Sequence, residues 1–445
     1  MRSYPCLTLL LLSVASAGRA AESEPAAVTL AEAVRLAVAR HPDALRARAL
    51  ADGIKGKIRE VRAQALPDVS ITSNALRLRD PSLLNASGLD KFPKELRDAL
   101  VPSGVNLFDY SINVKQPLYT AGKMGTALQI ASVQAEGSLA DIDRADQDLA
   151  LAVTKAFYGL LWAERYREQV LETQQQKKLH AEMARTRFRN GVATEVDVLR
   201  SEVAVANTAP DLARAENDVR QARALLNYYL VRPIDFPTRP LAEFEEKPWT
   251  EGDLEALLSE ALRRRPELHR LRIAEKTAEL QLSLARAESR MKLDFAGAYG
   301  IMSRLPSNLL NSQFTRWNLA VNFTLPVFDG FKRSGLVWQA TAAERAARLE
   351  RERTEQQVRL ALQQGLDEMT AARETIAAAR ANISQAEKVL AMTQNNYRYG
   401  AATTLDIVDA QAALSVARTN LLRGLHDHSV ARANLRWSAG LAPWE

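Results

Sequence analysis

One cysteine, five histidines and an aromatic content of 6% leave this 445-residue sequence poor in the groups that build reactive sites. The lone thiol, Cys6, excludes a disulfide framework and a cysteine-ligated metal centre. It precedes an apolar run instead of ending one, so it is misplaced for the lipid-bearing residue of an exported lipoprotein. His41, His180 and His269 are scattered, and His426 and His428 stand two apart, a spacing that does not share a helix face, so no metal site is expected. No nucleophile elbow or other catalytic setting occurs; neither an enzyme nor a cofactor is expected. Gly122-Lys-Met-Gly-Thr126 lacks the upstream glycine spacing of a phosphate loop. Long apolar runs are also missing. Past the N-terminus nothing approaches the ~20 residues of a membrane helix, since even 150–163 carries Thr154 and Lys155. The net charge of +6 is small for the length and implies no nucleic-acid partner.

What the sequence has in abundance is repetition. Phe188-Arg-Asn-Gly191-Val-Ala-Thr194-Glu-Val-Asp197 returns as Tyr397-Arg-Tyr-Gly400-Ala-Ala-Thr403-Thr-Leu-Asp406. Each copy closes a long helical pattern at a glycine and opens another at a threonine, the signature of a tight helix-to-helix turn. The copies lie 209 residues apart, and the same offset pairs Pro117 with Pro326, Lys123 with Lys332 and Leu226 with Leu435. The chain is an internal duplication. The expected division is a secretory signal peptide at 1–20, a first repeat at 21–232, a linker at 233–250 with four prolines, and a second repeat at 251–445.

Each repeat is expected to begin with a helix, Thr29 to Leu66 or Asp253 to Met291, interrupted at His41-Pro42 or Pro266. Two alternating stretches follow in each: Asp68 to Asn74 and Tyr110 to Gln116, then Leu293 to Tyr299 and Trp317 to Leu325. Apolar residues line one side of them and polar residues the other, as in outer-membrane barrel strands. Four such strands cannot close a barrel, so several chains must contribute. The stretches Leu76 to Asp109 and Gly300 to Arg316 between them are expected as surface loops.

A helical pattern without proline then runs from Lys332 to about Tyr399, roughly 100 Å at ~1.5 Å per residue. Leu362, Met369, Ile376, Ile383 and Leu390 recur every seven residues, with Gly365, Ala372, Ala379 and Ala386 three places on. This is a coiled-coil seam with small residues that admit a close partner. Leu139, Ile142, Leu149, Val153, Ala156, Leu160 and Ala163 keep that period in the first half. The return helices, Thr194 to about Tyr229 and Thr403 to about Trp437, are half as long, and Pro210 is expected to bend or interrupt the first. Two short helices stacked end to end therefore match each long one.

These features together resemble the TolC-like outer-membrane efflux protein family, over nearly the whole mature chain. The resemblance rests on the two aromatic-x-x-Gly-x-x-Thr-x-x-Asp tips, on Pro326-Val-Phe-Asp-Gly330, and on the order helix, strand, strand, helix, helix occurring twice. It implies a mainly α fold with a small β part, in which duplicated coiled-coil hairpins form a periplasmic α-barrel. The four strands would enter a trimeric, 12-stranded outer-membrane barrel. Implied too are a homotrimer seated in outer-membrane lipid, a periplasmic adaptor, and an inner-membrane pump of the RND or ABC type. The function implied is an exit duct that passes small molecules or secreted substrates to the exterior.

By the same resemblance, Asp406 and Asp409 would ring the periplasmic entrance, and Asp197 and Tyr397 would belong to the closed-state latch. Asn190, Gly191, Val192, Tyr399, Gly400 and Ala401 would be the adaptor-contacting tips. The residues alone allow a plainer role: Asp197 and Asp406 are also first-turn acids near helix N-termini. One departure is Ala402, which stands where relatives carry a basic latch residue. An exported periplasmic coiled-coil structural or adaptor protein is the alternative. The rod leaves the four strands unexplained, and an adaptor wants one hairpin where this chain has two.

Overall fold

The computed structural model describes residues 27–78, 93–96, 105–250 and 252–444; the expected signal at 1–20 and most of the first loop lie outside the described residues. The first half runs β1 (Ala27–Val28), α1 (Leu30–Arg40), α2 (Pro42–Ala63), β2 (Asp68–Leu78), β3 (Val105–Tyr119), α3 (Lys123–Arg189), α4 (Glu195–Ala206) and α5 (Thr208–Leu230). After β4 (Arg239–Pro240) the second runs α6 (Leu254–Arg264), α7 (Pro266–Ala287), β5 (Lys292–Ser303), β6 (Thr315–Thr324), α8 (Lys332–Arg398) and α9 (Thr404–Ser438). The fold is mainly α with a small β part.

Local chemistry sets the helix ends. Thr29 and Glu32 form a capping box, and Pro42 and Pro266 each begin a new helix because proline cannot donate into the preceding turn. The long helices α3 and α8 have 67 residues each, about 100 Å. α1, α2, α4 and α5 pack along α3, and α6, α7 and α9 along α8. The expected seam is buried at Leu362, Gly365, Met369, Ala372, Ile376, Ala379 and Ala386. Its small residues admit close approach: a Cβ on Gly365 would stand 2.9 Å from Leu435 Cδ1, and one on Gly424 3.1 Å from Ile376 Cγ1.

Two apolar cores result, and they are repeat counterparts. Leu149, Val153, Leu160 and Leu226 lie in the first, and Val358, Leu362, Met369 and Leu435, each 209 residues later, in the second. Above them β2, β3, β5 and β6 make one antiparallel sheet in that order. Ile71, Ile112, Tyr299 and Trp317 form one row across it. Ile71 is 81% exposed and Trp317 70%, so the apolar face is bare in a single chain. The opposite face is polar: Asn113 Nδ2 donates to Thr72 Oγ1 at 2.9 Å, and Arg316 Nε to Asp109 Oδ1 at 3.1 Å. β2 and β6 each leave one edge unpaired among the described residues.

Several boundaries differ from the sequence reading. All four strands extend further into the loops than their alternation showed, because ladder pairing continues through Leu76 to Leu78 and Val105 to Asp109 irrespective of side-chain pattern. Leu139, counted on the first seam, is 60% exposed; Ala140 takes the buried place beside it. The first return helix breaks at Asn207, with Pro210 inside the first turn of α5, where a missing N–H costs little. The proline-rich connection is tied down: β4 pairs in parallel with β1, and Asn227 Nδ2 donates to the carbonyls of Ile234 and Phe236 at 3.0 and 2.8 Å. No described helix is long and apolar enough to cross a membrane.

Candidate functional site at the helical tips

Both tips are built the same way. Gly191 N–H donates to Phe188 O and Val192 N–H to Arg187 O; Gly400 N–H donates to Tyr397 O and Ala401 N–H to Asn396 O. These are Schellman closures, and they require the left-handed backbone that Gly191 (φ +74) and Gly400 (φ +79) adopt. The next helix starts on a reciprocal cap. Asp197 Oδ2 accepts from Thr194 N–H at 3.0 Å and Oγ1 at 2.7 Å, and Asp406 Oδ2 accepts from Thr403 N–H and Oγ1, both at 2.7 Å. The plainer role of these two acids as caps is therefore present in the structure. Asn190, Gly191, Val192, Tyr399, Gly400 and Ala401 are all exposed.

The caps also fix charge. The Thr194 hydroxyl, then its N–H, holds the Asp197 carboxyl below its usual range; the Thr403 N–H, then its hydroxyl, does the same for Asp406. Asp409, one turn further along α9, is exposed on the same face as Asp406.

Asp197 and Tyr397, far apart in sequence, meet through Thr404. The hydroxyl of this wholly buried threonine lies 3.4 Å from Tyr397 Oη, and it also helps, behind the two Thr194 donors, to hold the Asp197 carboxyl down. Ala402 supplies no charge, yet Tyr397 still has a basic neighbour: the Arg187 guanidinium lies 4.5 Å from its ring centroid and donates to its carbonyl at 3.1 Å. On its other side is His180, only 3% exposed, with ring centroids 5.6 Å apart. Sequence reasoning missed Thr404, Arg187 and His180. Their signal was departure between otherwise matched repeats, for the corresponding residues are Glu195, Asn396 and the exposed Val389.

His180 borders a groove of about 450 Å³ between α3 and the second hairpin, shared with Glu387, Arg398, Gln411 and Arg418. Its Nε2 has no hydrogen-bond partner among the described residues, and burial pushes its pKa below the ordinary value of 6.5. The neutral ring is the form that fits. Packing here is at full strength above about pH 6.5 and weakens as pH falls below it, where the opened state takes up a proton. Protection factors of the amides at the end of α8, taken against the intrinsic exchange rate at each pH, are expected to fall between pH 7.5 and 5.5 in the native protein and to lose most of that fall in His180→Phe. An unchanged pH response in the variant would assign it to another group.

A sheet with one bare apolar face and, among the described residues, two open edges, carried on about 100 Å of paired helices, defines the class: a membrane channel protein with a long extramembrane part. The comparisons agree. Residues 33–230 and 257–441 match the family described as outer membrane efflux protein, so the chain belongs to that family. Outer membrane protein TolC of Vibrio cholerae is 24% identical over 440 residues, 97% of this chain and 95% of that protein. The alkaline protease secretion protein AprF of Pseudomonas aeruginosa is 23% identical over 66% of this chain and 62% of its own length. Among solved structures, the Campylobacter jejuni CmeC outer membrane channel superposes with a TM-score of 0.79 at 16% identity, covering 92% of this chain and 85% of that one. The protein is an outer-membrane channel of the efflux and secretion type that extends into the periplasm. Its family is one of channels, not enzymes.

Proposed function

We propose that three copies assemble into the exit duct of a tripartite export system, their twelve strands closing one barrel and their hairpins one periplasmic tunnel. The tips at Asn190, Gly191, Val192, Tyr399, Gly400 and Ala401 dock a periplasmic adaptor, which links the duct to an inner-membrane pump of the RND or ABC type. Asp406 and Asp409 ring the entrance, and Asp197 and Tyr397, joined through Thr404, latch it. The observation that carries this reading is the sheet, whose exposed apolar row suits lipid, whose hydrogen-bonded polar face suits a lumen, and whose open edges suit further strands. A freely soluble rod would leave that row in water.

The test is Gly400→Leu. A Cβ there meets nothing within 4 Å, but the left-handed backbone (φ +79) makes the substitution cost about 1 to 2 kcal/mol, too little to unfold the chain. The expected variant reaches the outer membrane at normal abundance, cross-links chemically up to three chains as the native protein does, and loses most adaptor-dependent export. Normal export would remove the tips from the docking surface, and a folded, conducting monomer would end the trimer.

A further inference from the structure

The apolar row of β6 does not stop with the strand. Trp317, Leu319, Val321, Phe323, Leu325 and Val327 alternate and are all exposed, so the row runs three residues beyond Thr324. Ten residues at ~3.3 Å each, tilted by about 40°, span about 25 Å, the height of a lipid-facing band, and Val327 marks its helical end. Just past that end the backbone is strained. Phe331 has φ +66, in the left-handed region that favours glycine, and its repeat counterpart 209 positions earlier is Gly122, with φ +84. The strain does not bury the ring. Phe331 is 77% exposed and Val327 94%, and the Phe331 ring stands edge-on to the exposed Phe328 ring with centroids 5.9 Å apart.

Trp338 follows seven residues on, two turns along α8 on the same face, exposed and with its side chain leaning back toward the sheet. Its counterpart is Gln129, so Phe331 and Trp338 are both additions of the second half. Lys292, Lys332 and Arg333 are exposed at the same level. The acids between them already have partners: Glu288 is bonded to Lys123 at 2.7 Å, and Asp329 Oδ2 accepts from the Arg333 N–H at 3.0 Å at the start of α8. The Lys123 ammonium, then Lys332 and Lys292, holds the Glu288 carboxyl below its usual range, so three ammonium groups stand about one acid.

We propose that this corner binds anionic phospholipid in the leaflet on the helical side of the membrane. Val327, Phe328 and Phe331 enter the upper acyl region, Lys332 and Arg333 hold the lipid phosphate, and Trp338 lies in the headgroup layer. An exposed apolar edge continuous with the lipid-facing row calls for acyl chains, and an excess of cations where phosphates lie calls for a negative headgroup. Inorganic phosphate would meet the cations and leave the rings in water. Because Phe331 holds a backbone that suits Gly122 better and yet stays exposed, the contact that retains it lies outside the single chain. The inference rests on the outer-membrane location and not on the number of copies.

The test uses the full chain in phosphatidylcholine vesicles and the emission of Trp338, taken in each background as the difference on Trp338→Phe. Phosphatidylglycerol and phosphatidylcholine, each brominated at the upper end of the acyl chain, are compared as quenchers at equal mole fraction. The apparent affinity read from the quenching curves should be about fivefold or more higher for phosphatidylglycerol, and Lys332→Gln/Arg333→Gln should remove the preference. Phe331→Gly should lower the quenching by phosphatidylglycerol at least about twofold, yet keep native heat resistance in detergent because glycine suits φ +66. Equal quenching of the native protein by the two lipids overturns headgroup recognition. Loss of the preference on adding inorganic phosphate, at matched ionic strength, overturns lipid as the occupant. A drop in the heat resistance of Phe331→Gly in detergent assigns the ring to a contact between protein chains instead. Should the double variant fail to reach the membrane, the native preference must fall as salt rises, and a preference indifferent to salt overturns the role of the cations.

Discussion

Gly300→Val is expected to abolish recovery of folded protein from the outer membrane. Gly300 sits in β5 opposite Ser111 of β3. A Cβ on it would stand 2.0 Å from Tyr110 O, 2.6 Å from Ser111 Cα and 2.7 Å from Ser111 Cβ. The first two belong to the neighbouring backbone, which can retreat only by breaking the ladder. That ladder is the strand seam joining the two halves, so its loss separates the hairpins and strands two more edges. Overpacking against fixed backbone costs more than about 4 kcal/mol, a large share of the stability of an ordinary domain. Gly297→Ala, three residues away on the other face of β5, provides the control. Its Cβ would meet Leu319 Cδ2 at 3.2 Å and the Phe295 ring at 3.5 Å, side chains able to turn aside. Heat-modifiable mobility and outer-membrane abundance should be near native for Gly297→Ala and absent for Gly300→Val. A normally inserted Gly300→Val protein would show that the β3–β5 seam is dispensable.

The second large effect is expected at the entrance. On the trimer proposed above, Asp406 and Asp409 would place six carboxylates about one axis. Two charges ~8 Å apart repel by about 0.5 kcal/mol in water and by more where protein displaces solvent. Such a ring concentrates cations and binds trivalent ones although the chain as a whole is formally basic. The cap sharpens the expectation: because Thr403 holds the Asp406 carboxyl below its ordinary value of 3.8, its charge persists as pH falls toward that value. In planar bilayers the native protein should be cation-selective and blocked by a trivalent cation from the tip side, and block should survive mild acid. Asp406→Asn/Asp409→Asn should lose block by about a hundredfold or more, the linkage expected when several charges of the ring vanish together. Asparagine keeps an oxygen for the Thr403 N–H, so helix α9 retains its start. Equal block in the two proteins would return Asp406 to capping alone and Asp409 to an ordinary surface acid.

Much of this fold was legible before any coordinates because its determinants are local. The 67-residue span of α8, the helix breaks at Pro42 and Pro266, the threonine caps and the glycine tips depend on residues within one or two turns, and their periodicity is written in the chain. Repetition added a second reading of every element: a helix inferred in one half was checked by its counterpart in the other. Strand extent was less legible, since Leu76 to Leu78 pair by backbone hydrogen bonds that no side-chain alternation announces.

The sequence by itself therefore determined the duplicated order of elements, the length of the rods, the position and chemistry of the tips, and the two-faced character of the strands. Only the tertiary structure decided which halves touch and where. That β3 pairs with β5, that Thr404 reaches toward Asp197, that the Arg187 guanidinium lies over the Tyr397 ring, and that His180 is buried against the second hairpin are contacts between residues about 200 positions apart. Such contacts are chosen by the packing of whole surfaces, in which each residue's place depends on all the others, and no local spacing encodes them.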